Sequence, residues 1–414
     1  MREERKEVLV VGAGPVGLWT AFLLARSGVE VKIIDSQDRT AARSYACGVH
    51  SHTLEALARV GLAEELISKG RRVETVAFYE GEKREAELKL GKTGGAFPFL
   101  LIAPQSALEE MLEAQLAKLG VHVNWMHRLD DFSKEEESLS VRVEELSGTS
   151  TGYVVPHWET TVKRDLPIRV QFLVGADGNH SMARRRCGLE YRQFGPAEMF
   201  AAYEFEAEED PGSEVRVVFS GETTNILWPQ PGTKWRWTFQ VAPEGPASFP
   251  DKERRAVRFL DTIVDERLRD YVQRIGSKRA PWFRATVKDV TWCTRVAFEQ
   301  RLVSSFGQDR CWLAGDAAHQ TGPAGVQSMN SGFMEAEMLA GILKQIIHEN
   351  GDTDLLKEYD RVQKQNWEKL MGPGALKARE GASSWVTKHA ARLLPCVPGV
   401  GANLEPLAGQ IGLG

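Results

Sequence analysis

A chain of 414 residues with 42% hydrophobic and 26% charged side chains has globular composition and length for two or three domains, which excludes disordered and fibrous classes. Its 52 basic and 57 acidic side chains leave a net charge of −5, without the concentrated positive surface that nucleic-acid binding requires. The five cysteines (Cys47, Cys187, Cys293, Cys311 and Cys396) are odd in number and scattered, with neither disulfide nor metal-ligand spacing, so a reducing cytoplasm is expected.

The chain opens as a βαβ unit. Val8 to Val11 is an apolar strand of the kind buried in parallel sheets, Leu18 to Arg26 a helix closed by Gly28, and Val29 to Asp35 a second strand. The uncharged run from Val8 to Ala25 approaches the length of a membrane span, but Gly12, Gly14, Pro15 and Gly17 interrupt it and the charge before it is balanced. No membrane span and no leader is read here.

Between the strands lies Gly12-Ala13-Gly14-Pro15-Val16-Gly17. Gly12 allows the tight turn, Gly14 the approach of a pyrophosphate, and Gly17 close packing of helix on strand. The helix N-terminus then meets the phosphates with free N–H groups. Asp35, about twenty residues further on, suits a ribose hydroxyl. This fingerprint fits NAD and FAD equally.

Short helices follow over His52 to Gly61 and Glu64 to Gly70, then strands over Val73 to Leu90. Gln105 to Gly120 is an amphipathic helix with Leu108, Met111, Leu112, Leu116 and Leu119 expected on one face. Val121 to Pro167 reads as a peripheral meander, and Arg169 to Gly175 as a buried strand. The densest basic run, Arg184 to Arg186, reads as a solvated turn. From Tyr191 to Val241 aromatic-bearing strands suggest an antiparallel sheet. A helical stretch from Asp251 to Arg274, a strand from Thr286 to Phe298 and a strong helix from Ser331 to Glu349 complete the pattern. His50, His52 and His319 lack zinc-site spacing and read as core or solvated residues, so no metal is expected.

Two later motifs separate the cofactors by resemblance. Ala176-Asp177-Gly178 closes one strand, and Leu313-Ala314-Gly315-Asp316-Ala317-Ala318-His319 closes another. With the glycine fingerprint, this trio resembles the class A FAD-dependent aromatic hydroxylases, the p-hydroxybenzoate hydroxylase type, over roughly residues 1–350. The resemblance implies non-covalent FAD, with NAD(P)H and O2 as co-substrates. It implies an α/β fold: a Rossmann-like FAD domain of the GR2 type, interrupted by a mostly antiparallel substrate domain and followed by C-terminal helices. The expected boundaries are 1–72, 98–182 and 285–349 for the FAD domain, 73–97 and 183–284 for the substrate domain, and 350–414 for the helical segment.

By the same resemblance Asp316 bonds the ribityl chain beside Gly315, and Gln105 contacts the ribityl region. Asp177 and Gly178 approach the pyrophosphate. The loop Pro323-Ala324-Gly325-Val326-Gln327-Ser328-Met329-Asn330 passes along the flavin ring, with backbone N–H groups at Met329 and Asn330 meeting its edge. Gly322 and Ser328 depart from the family's usual residues there. Arg43 is assigned to FAD phosphate, although strict spacing would select Tyr45.

The implied activity is hydroxylation of a phenolic or polycyclic aromatic through a flavin C4a-hydroperoxide. The cofactor performs the difficult step, so no side chain is assigned as catalytic. A flavin epoxidase or polyketide-tailoring oxygenase, a flavin reductase and a simple FAD-holding protein share these motifs, and a homodimer is compatible with them. Trp235, Trp237 and Phe239 share one sheet face, which serves either as core or as the roof of a substrate cavity. Phe219, Trp228, Trp237, Phe239 and Pro323 are the expected substrate contacts. Pro231 falls near the place of the arginine that holds benzoate carboxylates in the family, and Arg216 is the remaining cation nearby. Neutral polycyclic phenols are therefore expected in preference to hydroxybenzoates.

Overall fold

A computed structural model of the chain describes residues 4–39, 48–151, 157–241 and 266–414. Arg43, Tyr45 and the start of the helical stretch expected from Asp251 lie outside the described residues.

The nucleotide-type region is built on an eight-stranded sheet. Its parallel centre runs Cys311–Leu313, His157–Gly175, Glu4–Val11, Val31–Ile34 and Val123–Asn124. Val8, Leu9 and Val10 are fully buried, which is why this strand carries no polar alternation. Helices Gln105–Lys118 and Gln327–His348 flank the first helix, Pro15–Arg26. Trp19 of that helix stacks on Phe333 with centroids 5.5 Å apart.

The meander expected over Val121 to Pro167 is a long antiparallel pair, Leu139–Thr151 with His157–Gly175, extended by His127–Lys134. One strand runs through Pro167 rather than stopping there. Its pairing with the first strand starts at Ile168, so the missing proline N–H costs no hydrogen bond to that strand.

The second large sheet has seven strands. From one edge they are Val287–Phe298, Glu198–Ala207, Lys234–Val241, Thr223–Pro229, Glu214–Ser220, Thr75–Glu80 and Lys83–Lys89. All neighbours are antiparallel except Glu214–Ser220 with Thr75–Glu80.

The two faces of this sheet have different fates. One carries Tyr203, Phe205, Trp235, Trp237 and Phe239 and is covered by helix Glu266–Arg279 with Phe283. The other carries Phe200, Val217, Phe219, Ile226 and Trp228 and joins the main core. Helix Ser384–Leu393 lies against it, with Trp385 stacked on Phe219 at 5.6 Å. No described helix is long and apolar enough to cross a membrane.

Candidate active site

The glycine turn is dictated by space. Gly12 has φ +104°, and a Cβ on it would lie 2.2 Å from the Ala176 carbonyl oxygen. A Cβ on Gly17 would lie 1.9 Å from the Gly12 carbonyl oxygen, whereas one on Gly14 would meet nothing within 4 Å. Gly14 is thus open toward a ligand while the other two are closed by protein. Asp35 reaches back to this turn: its Oδ2 accepts the Ala13 N–H at 2.7 Å and its Oδ1 accepts the Gln37 N–H at 2.8 Å.

A cavity of about 490 Å³ begins at this turn. Gly14, Pro15, Val16, Gln105, Gly178, Asp316, Pro323 and Met329, all singled out from the sequence, line it together. Ala176, Asn179, Gln320, Thr321, Gly322, Val326, Gln327 and Ser328 complete its floor, and Thr294, Arg295, Val296 and Phe298 of the sheet's edge strand close it. Gln105 opens helix Gln105–Lys118 and donates to Glu109 at 2.7 Å.

Asp177 itself does not line the cavity. Its Oδ2 accepts the N–H groups of Met182 and Ala183, at 2.6 and 3.1 Å, so it satisfies the first two N–H groups of the short helix Met182–Arg186, whose N-cap is Ser181. Burial raises its pKa against those hydrogen bonds. The side chain fixes the turn, and Gly178, at φ +74°, presents backbone.

Arg184 corrects the expectation of a solvated basic run. It is 6% exposed, donates to the carbonyls of Asn179 and Ala317 at 2.7 and 2.8 Å, and lies 3.9 Å from the Tyr191 ring centroid. One guanidinium therefore ties together the two loops that bear Gly178 and Asp316. Arginine-rich turns resemble solvated ones in sequence, so no local signal marked it.

Asp316 is exposed to the cavity, whose walls crowd it closely enough to raise its pKa. Nearby His319 opposes that rise and Glu335 adds to it. No described residue is recorded as bonding to its carboxylate, while Tyr191 donates to its backbone carbonyl at 3.2 Å.

Beneath it lies a buried network that the sequence reading missed. Glu335 accepts from the Gly315 N–H at 2.8 Å, Ser331 Oγ at 3.0 Å and Trp367 Nε1 at 3.1 Å. It also pairs with His319 at 2.7 Å, both fully buried, and Trp367 stacks on that imidazole at 4.0 Å. Burial alone would raise the pKa of Glu335; His319 and the donated hydrogen bonds bring it below the usual value. An acid among the apolar residues of a buried helix was the available signal.

The loop before helix Gln327–His348 is held under strain. Val326 has φ +50° and ψ +40°, an uncommon conformation for a β-branched residue. Asn330 holds it there: its Nδ2 donates to the carbonyls of Val326 and Gly48 at 2.7 and 3.0 Å. Its Oδ1 accepts from the His50 N–H and Thr53 Oγ1, each at 2.8 Å. His50 bonds the Gly325 carbonyl at 2.8 Å, and burial drives its pKa down to about 3. A Cβ on Gly325 would come within 2.7 Å of the Pro395 and Val397 carbonyl oxygens, so the C-terminal segment backs this loop.

The expected substrate contacts are not brought together. Pro323 lines the cavity, but Trp237 and Phe239 stack on each other at 4.9 Å under Phe283, on the helix-covered face. Phe219 and Trp228 are buried in the main core. The face richest in aromatic area packs on a helix because that removes most apolar surface from water. Pro231 sits in the hairpin turn between Thr223–Pro229 and Lys234–Val241, beside Arg71, which donates to the Gln230 and Gly232 carbonyls.

A model of the FAD binding domain matches residues 5–372. The chain belongs to the class A FAD-dependent aromatic hydroxylase family. This hydroxylase-family chain is 33% identical to 6-methylpretetramide 4-monooxygenase of Streptomyces rimosus over 85% of its own length. It spans 58% of that relative, so the family is established while the relative's whole activity is not transferred. Among solved structures, p-nitrophenol 4-monooxygenase from Pseudomonas putida DLL-E4 superposes with a TM-score of 0.72 at 23% identity, covering 90% of this chain and 88% of that one. A complex of aklavinone-11 hydroxylase with FAD and aklavinone superposes at 0.68 with 22% identity, covering 88% and 67%. Both show the fold.

Proposed function

We propose that the protein is an FAD-dependent monooxygenase that uses NAD(P)H and O2 to hydroxylate a phenolic or polycyclic aromatic. One observation carries this reading: a single cavity runs from the dinucleotide turn at Gly14, past Gln105 and Asp316, to the loop at Pro323–Met329 beneath a sheet edge. The residues suit the cofactor. The open space at Gly14 admits a pyrophosphate beside a helix N-terminus. Asp35 takes the adenosine ribose, with Gly12 and Gly17 shaping its turn. Asp316, facing the cavity, accepts ribityl hydroxyls with Gln105 beside it. The backbone from Gly325 to Asn330 meets the ring edge, and Arg43 the phosphate.

FAD, reduced by NAD(P)H, supplies transfer of one oxygen atom of O2 to an electron-rich ring carbon. The chain binds and orients both partners and excludes water. Its four described cysteines, all buried and free, suit a reducing cytoplasm.

Purified protein is expected to release FAD on denaturation, identified by chromatography. It is also expected to oxidise NAD(P)H faster when phenolic compounds are present. Asp316→Ala is expected to weaken FAD retention by about 1–3 kcal/mol. Release of FMN or NAD, or failure to take up FAD, sinks the reading. NAD(P)H oxidation with no oxygen from O2 in any product assigns a reductase instead.

A further inference from the structure

We infer that Gln320 is the residue by which the cavity recognises its substrate, exchanging hydrogen bonds with a hydroxyl carried on the aromatic ring. This rests on the hydroxylase reading above and deepens it.

The strand His319–Gln320 sends its two side chains to opposite faces. His319 turns into the core, fully buried against Glu335 and stacked on Trp367. Gln320 lines the cavity. Its strand partner is Arg301, which follows Phe298 closely in the chain, so the amide stands near the end of the sheet's edge strand. Along its own chain it lies between Asp316 and Pro323, both of them lining residues.

Gln320 is only 9% exposed, yet its side-chain amide makes no hydrogen bond to any described residue. Neither Oε1 nor Nε2 is sealed off in packed protein, as the unpartnered Oε1 of Gln327 is. The amide therefore looks into the open space that the residue lines. Leaving a buried amide unpaired costs free energy, and a ligand in the cavity is the partner within reach.

The other amides of the lining are committed or solvated. Gln105 donates to Glu109. Gln327 donates away from the cavity, to the carbonyls of Leu394 and Val397 at 3.4 and 2.9 Å. Asn179 is solvent-exposed, as is Arg295, the lining cation, so water already serves both. The hydroxyls of Thr321 and Ser328 share a hydrogen bond at 3.2 Å, and Ser328 Oγ also accepts the Thr321 N–H at 3.0 Å.

An amide accepts through Oε1 and donates through Nε2, which matches a hydroxyl, itself both donor and acceptor. Val296 and Phe298 line the same cavity, and Phe200 braces Phe298 edge-to-face with centroids 5.6 Å apart. One polar point beside an apolar wall suits a flat ring bearing an oxygen.

The test uses FAD-loaded protein and two probes of one shape, 2-naphthol and 2-methylnaphthalene, with affinities measured by equilibrium dialysis without NAD(P)H. Wild-type protein is expected to bind the naphthol about tenfold more tightly. Gln320→Met keeps the side-chain length and removes both hydrogen-bonding atoms. It is expected to bring the two affinities within about twofold of each other while FAD content stays unchanged. If Q320M does not fold, Gln320→Leu carries the test with the same expectation. Equal wild-type affinities, no binding of either probe, or an unchanged ratio in the folded variant overturn the inference. So does loss of FAD from a folded variant, which would give the amide to the cofactor. All of these leave the hydroxylase reading standing. Failure of the wild type to take up FAD sinks that reading, and this inference with it.

Discussion

The parallel sheet and the antiparallel sheet present their parts of the cavity in different ways. At the parallel sheet the cavity wall is largely backbone: Gly14, Ala176, Gly178 and the loop from Gly322 to Met329. Glycines that must lack a side chain, and acids that cap or bridge loops, specify that wall locally. At the antiparallel sheet the wall is a run of the edge strand, Thr294, Arg295, Val296 and Phe298. Alternation shows that two faces exist, and packing alone chooses which one meets the ligand. A backbone-built site is thus written in short motifs, and a face-built site is not.

The contrast breaks most sharply at Trp237. If the aromatic face is core, Trp237→Ala costs about 3–5 kcal/mol of stability, read by chemical denaturation, and leaves 2-naphthol affinity unchanged. A stable variant with weakened naphthol binding would return this face to the substrate.

The glycine turn tests the other side of the comparison. Gly17→Ala is expected to destabilise the fold by about 1–3 kcal/mol or more, because its Cβ would overlap the Gly12 carbonyl oxygen. Gly14→Ala has room within the protein and keeps the melting temperature of the FAD-free protein, yet it loses FAD because the new methyl stands in the ligand's space. Equal melting losses in the two variants would show that Gly14 is structural after all.

A pH-dependent effect sharpens how the ring-edge loop is held. His50 is buried and neutral, with a pKa of about 3 against an ordinary 6.5. His52 is depressed in the same direction, chiefly by burial. The unfolded chain therefore binds protons that the folded chain refuses, and stability falls as pH drops from 6.5 toward 3. The slope from His50 approaches about 1.4 kcal/mol per pH unit. Urea unfolding across this window is the measurement. His50→Gln, which keeps a donor for the Gly325 carbonyl, is expected to flatten the slope; an unchanged slope would place the acid sensitivity elsewhere.

The sequence by itself determined the βαβ opening, the FAD-type motifs and the presence of a second, aromatic-bearing sheet. Glycine geometry and apolar strand runs are short-range constraints, and they leave marks at fixed spacing. It misjudged what depends on partners distant in the chain. Arg184 looked solvated because the carbonyl of Ala317 that it bonds is remote in sequence. Glu335 was passed over because His319 and Trp367 reach it only after the helices pack. The tertiary structure alone decided that Trp237 and Phe239 face a helix. Which face of a sheet turns inward is fixed by the apolar area that each can bury against its neighbours, a quantity no single strand contains.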